Sequence, residues 1–176
     1  AMSSALRTPA LNEEILPIVL QEVNRLVGVD GSAISLMDSE TAMAVVKLSH
    51  GDWKSWFGGS QLASHGVLGQ VFHSHRPLIE ENVFFRKASD WPGPLGEIQT
   101  VVCLPLIANS QLIGAMWLGR KGTFNKRDIR VLTTLSDISA NAISKSTLYK
   151  QVEDRAATLA SLYDAGLALN SVLEPH

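Results

Sequence analysis

A single cysteine, Cys103, occurs among the 176 residues. One thiol excludes an intramolecular disulfide and any zinc site built on paired thiolates. No apolar run approaches the roughly 18 residues that would signal a membrane-spanning helix, so no membrane contact is expected. Neither sign of charge dominates: 15 Lys and Arg face 17 Asp and Glu, a net charge of −2, without a local Lys/Arg cluster. No direct nucleic-acid partner is therefore expected. Charged residues make up only 18% of the chain, so part of the surface is expected to lie under a partner or ligand. The opening Ala1-Met2-Ser3-Ser4 has no basic stretch followed by an apolar one. It reads as a cloning scar rather than a signal peptide, and a cytoplasmic location is expected.

Catalytic signatures are missing too. There is no nucleophile elbow, no phosphate-binding loop and no His-Glu-x-x-His, so no catalytic residue and no enzymatic activity are expected. The five histidines do not gather. His73 and His75 diverge at the end of a helix with no ligand partner beside them, and neither a metal nor a cofactor is expected. What the chain does have is 45% hydrophobic residues, enough for a real core.

These residues are ordered as helix, mixed middle, long helix. Leu11, Ile15, Ile18, Val19, Val23, Leu26 and Val27 fall at helical spacing, capped by Thr8 or Asn12. Pro17 implies a late start or a kink, and Gly28 with Asp30-Gly31 ends the helix. Ser32–Met37 and Met43–Leu48 read as a hairpin. Residues 52–65 read as irregular, and Gly66–Ser74 as a short helix with Val67, Leu68, Val71 and Phe72 on one face. Residues 78–81 suit a short strand, and 82–97 a long loop. Val101–Ile107 is a continuous apolar strand covered on both faces, turned by Asn109-Ser110 into the strand Leu112–Leu118. Asn125 caps a helix that no Gly or Pro interrupts before Gly166.

Three segments in this order resemble the GAF domain family, the small-molecule-sensing modules of bacterial signalling proteins. They are Gly66-Val67-Leu68-Gly69-Gln70-Val71 with Arg76-Pro77-Leu78; Val101–Leu106 with Leu112–Leu118; and Phe124-Asn125-Lys126-Arg127-Asp128 entering an alanine-bearing helix. The resemblance implies an α+β fold, a GAF-like antiparallel sheet with the terminal helices on one face and a ligand pocket on the other. It divides the chain into a scar and lead (1–10), a sensor domain (11–148) and a connector helix (149–176) toward a following module, such as that of a histidine kinase. The implied role is to sense a small molecule and relay the signal through a dimeric C-terminal helix; the alternative is a ligand-free dimerisation scaffold.

The candidate pocket residues are Trp56, Phe57, His65, Trp91, Cys103 and Met116. The aromatics stand in segments read as loops, where side chains are ordinarily polar, and must pack on something. Cys103 and Met116 lie in the strands that such a pocket uses as its floor. Gly66-x-x-Gly69 suits close packing better than anion binding, because no third glycine or Lys-Ser/Thr pair follows. Cyclic-nucleotide-binding relatives carry Asn-Lys, then Phe, then Asp-Glu. Lys121, Phe124 and Asp128 match that pattern, and the Asn and Glu positions do not. Finally, Leu148, Val152, Ala156, Leu159, Leu162, Gly166, Leu169 and Leu173 recur every three or four residues, the coiled-coil period. A parallel homodimer through the N- and C-terminal helices is expected.

Overall fold

The computed structural model describes residues 7–83 and 93–173; Trp91 lies outside the described residues. Helix α1 (Arg7–Leu26) leads into β1 (Gly31–Met37) and β2 (Met43–Gly51). A single 3-10 turn (Lys54–Trp56), β3 (Ser60–Leu62), α2 (Gly66–Ser74) and β4 (Leu78–Glu80) follow. The chain closes with β5 (Thr100–Ala108), β6 (Gln111–Arg120) and α3 (Lys126–Leu173). The six strands form one antiparallel sheet in the order β3-β2-β1-β6-β5-β4.

Strand alternation sorts the core onto two faces. On one face Ile34, Val102, Leu104, Leu106, Met116 and Leu118 meet Leu16, Leu20 and Val23 of α1 and Leu132, Ala140 and Ile143 of α3. On the other, Ala33, Val46, Val101, Cys103, Ala115 and Trp117 meet Val67, Leu68 and Val71 of α2 and the tryptophans of the turn after β2. β5 is buried along nearly its whole length, as its continuous apolar run predicts. Its Pro105, which has no N–H to donate, sits beyond the last β4 pair, Leu78 with Cys103.

The helices answer two points that the sequence leaves open. Pro17 lies inside α1, which begins at Arg7 rather than after the proline. An interior proline costs a helix about 3 kcal/mol. Burying Leu16, Leu20 and Val23 against the sheet recovers more than that, at about 1.5–3 kcal/mol for each large apolar side chain. α3 runs on through Gly166 to Leu173, 48 residues in all and about 72 Å long. A difference from expectation is β3, which lies inside the segment read as irregular and pairs with Met43–Val45.

The start of α3 is tied to the end of α1 by one side chain. Arg120, at the end of β6, donates to the carbonyls of Val27 and Gly28, where α1 has just ended. The same guanidinium holds the Asp128 carboxylate at 2.9 Å and lies 4.4 Å over the Phe124 ring. Asn125 and Asp128 complete a reciprocal cap: the Asn125 side chain accepts from the Asp128 N–H at 2.8 Å, and the Asp128 carboxylate accepts from the Asn125 N–H at 3.1 Å.

Candidate functional site

The face of the sheet opposite the long helices is built around three indoles. Trp53 and Trp56 arrive from the turn after β2, and Trp117 rises from β6. Trp56 is the middle member, with ring centroids 5.6 Å from Trp53 and 5.4 Å from Trp117, both edge-to-face. That geometry sets the positive ring edge against a negative ring face. Trp117 donates its indole N–H to Ser35 Oγ at 3.1 Å, and Ser35 Oγ reaches the Ala115 carbonyl at 3.4 Å. The polar part of a buried indole is thus satisfied within the sheet.

Glycines make room for these rings. Gly31 and Gly119 are cross-strand partners, and a Cβ on Gly119 would stand 2.6 Å from the Trp53 ring. A Cβ on Gly93 would stand 2.8 Å from the Trp56 ring. Phe72, Leu78, Leu95 and Met37 pack, partly buried, around the cluster.

The expected site residues separate. Trp56 and Cys103 belong to this face and are buried in it. Met116 does not: β5 pairs Cys103 with Trp117 and Leu104 with Met116, so Met116 points to the helix side and packs in that core. The expectation that Cys103 and Met116 share one floor is corrected by strand parity. Phe57, next to Trp56, turns outward and is 67% exposed. His65 is exposed at the N-terminus of α2, its Nδ1 3.1 Å from Ser64 Oγ. Trp91 lies outside the described residues. Trp53 and Trp117 were not among the candidates, yet they frame the site. The signal for Trp53 was the glycine at both Gly31 and Gly119, readable only once β1 and β6 are known to pair.

The electrostatics of the face are quiet. Burial pushes the Cys103 thiol well above its ordinary pKa, which removes the thiolate a nucleophile needs. Among the described residues no group of His, Cys, Asp and Glu is placed to hold a metal ion. Gly69 closes tightly on the backbone of Ser64, with a Cβ there 2.4 Å from its carbonyl oxygen, as the packing reading of Gly66-x-x-Gly69 requires. Lys121, Phe124 and Asp128 are taken up by contacts of their own. Lys121 pairs with Glu97 at 2.9 Å, while Phe124 and Asp128 serve Arg120.

A family model described as a GAF domain matches residues 12–144, and the chain belongs to that family. Solved structures agree at the level of fold. The GAF domain/HD domain protein from Geobacter sulfurreducens is 18% identical, with a TM-score of 0.66 over 77% of this chain and 93% of that one. The GAF domain of a two-component sensor histidine kinase from Bacillus halodurans is 15% identical, with a TM-score of 0.64 over 78% and 96%. A type II free methionine-R-sulfoxide reductase from Thermoplasma acidophilum is 12% identical, with a TM-score of 0.62 over 78% and 95%. No curated protein matches the chain. No helix among the described residues is long and apolar enough to cross a membrane.

Proposed function

We propose that this GAF domain is a regulatory module that conveys its state along α3, as a homodimer, to an output module. The observation that carries the reading is the distal half of α3. From Leu148 to Leu173 every side chain except Glu153 is exposed, including Leu148, Val152, Leu159, Leu162, Leu169 and Leu173. An apolar stripe that long needs a partner, and its spacing fits a second copy of the same helix. Ile18 on α1 and Ile138 on α3 are also exposed, 58% and 60%, which extends the apolar surface onto both terminal helices. Arg120 supports the relay, because it links the sheet to the end of α1 and the first turn of α3. The Bacillus halodurans relative, from a sensor histidine kinase, supplies a context of the same kind. In this reading a small molecule at the tryptophan-lined face is the input.

A second reading, a ligand-free dimerisation scaffold, is favoured by one observation: Trp53, Trp56 and Trp117 pack on one another and bury that face. Sedimentation equilibrium of the full chain and of a version ending at Lys145 tests the dimer. The full chain is expected to dimerise and the shorter one to be monomeric; a monomer in both refutes the paired-helix relay. A native mass spectrum of protein purified from its source organism separates the two readings. A retained small molecule, with tryptophan fluorescence that changes on its removal, supports sensing, and bare protein supports the scaffold.

A further inference from the structure

The helix side of the sheet carries a cavity that the tryptophan-lined face does not share. It has a volume of about 320 Å³ and lies between α1 and the start of β1, closed by the end of β2. Pro17, Leu20 and Val29 supply apolar wall. Ser32 and His50 are direct cross-strand partners and therefore present side chains to the same face of the sheet. Asp30 stands beside them.

Two features distinguish this cavity from a packing gap. The first is Ser32, only 4% exposed, whose hydroxyl makes no hydrogen bond to any described residue and opens on the cavity it lines. A hydroxyl open to the cavity keeps its donor and acceptor capacity available to a group arriving from outside. The second is charge. Among the described residues Asp30 is the one of fixed charge in the lining, and no side-chain cation lies within ion-pair distance of it, the Lys121 ammonium acting on it only from farther off. Its carboxylate accepts only the Lys121 backbone N–H, at 2.7 Å, which leaves lone pairs available. The neighbouring cations are engaged elsewhere: Arg120 by Asp128 and the carbonyls of Val27 and Gly28, and Lys121 by Glu97 and Asp52.

We propose that this cavity binds a small organic amine, its ammonium on Asp30 and Ser32 and its apolar part against Leu20 and Val29. The site lies on the opposite side of the sheet from the tryptophans and stands whether or not that face takes a ligand. α1 packs in the same core as α3, so an occupant that presses on α1 acts on the helix layer from which α3 leaves the domain.

Three probes of one size and different charge test the proposal on the full chain by amide NMR: phenethylamine, 2-phenylethanol and phenylacetate. Phenethylamine is expected to shift the amides of residues 18–24, 29–32 and 50–51 saturably, 2-phenylethanol more weakly, and phenylacetate not at all. Asp30→Asn, which can still accept the Lys121 N–H, should weaken phenethylamine about tenfold or more by removing the charge-assisted bond. Ser32→Ala, which leaves the cavity open, should weaken it about threefold to tenfold. If Asp30→Asn does not fold, Ser32→Ala decides alone. The proposal is overturned by an absence of saturable shifts with phenethylamine, by 2-phenylethanol binding no more weakly than the amine, by any saturable binding of phenylacetate, or by unchanged affinity in the folded variants.

Discussion

The two halves of α3 are one uninterrupted helix in two different surroundings. Up to Ser146 it lays Leu132, Ser136, Ala140 and Ile143 against the sheet. Beyond Leu148 the same helix touches almost nothing of its own domain. Backbone hydrogen bonding is equivalent in both halves, so what differs is the source of tertiary stabilisation. The proximal half is held by an aliphatic core, an Arg120–Asp128 ion pair and an N-terminal cap. An isolated helix of the distal length is marginal in water, and in the proposed homodimer its stability comes from association. Mutations should therefore divide cleanly: proximal changes alter folding, and distal changes alter self-association.

The strongest challenge to that division is Leu132→Ala. Leu132 is fully buried, and its truncation should destabilise the domain by about 2–5 kcal/mol through lost burial and the cavity left behind. Chemical denaturation measures it, and the dimer dissociation constant extrapolated to zero denaturant should not change. The converse is the double change Leu159→Asp with Leu162→Asp. It should raise the dimer dissociation constant about 100-fold or more, equivalent to about 2.7 kcal/mol, while the denaturation midpoint of a version ending at Lys145 serves as the unaffected reference. A folded double variant that still dimerises as tightly as the parent would break the comparison.

Smaller changes sharpen it. Asn125→Ala removes the side chain that caps the first turn of α3 and should destabilise the domain by about 1 kcal/mol, again without affecting association. Gly166→Ala should do the reverse. Nothing lies within 4 Å of a Cβ at that position, so alanine adds helix propensity of up to about 1 kcal/mol without a clash. Circular dichroism should show more helix and sedimentation a slightly tighter dimer, with domain stability unchanged. A weaker dimer would mean that Gly166 is needed at the helix–helix interface itself.

Much of this architecture was legible from local pattern. Helical spacing marked α1 and α2, alternation marked β1, and the continuous apolar run of β5 matched a strand covered on both faces. Asn125 was read as the cap of α3, and its side chain accepts the Asp128 N–H. β3 was not legible, because three residues, Ser60–Leu62, are too few to carry a period, and they become a strand only by pairing with β2. Pro17 left a late start or a kink open, and α1 runs through it because burial of Leu16, Leu20 and Val23 outweighs the local penalty.

The candidate site was less legible than the fold, and Cys103 and Met116 illustrate the cause. Each was correctly placed in a strand, but which face a strand residue shows relative to another strand depends on register, and a shift of one residue reverses it. Trp53 shows the same dependence. Its ring lies over Gly31 and Gly119, residues 88 positions apart that meet only because β1 pairs with β6. The cavity beneath α1 likewise draws Leu20, Asp30, Ser32 and His50 from three elements, and no stretch of sequence announces it.

By itself the sequence determined where helices and strands form, where α3 starts, and that its far end presents an apolar stripe. Those properties follow from energies between residues close along the chain: capping, helical spacing and strand alternation. The tertiary structure alone decided which residues share a face, which tryptophans meet, and that Asp30 and Ser32 line one cavity. Those follow from the pairing of distant segments, whose register is set by the sum of many weak packing terms rather than by any local signal.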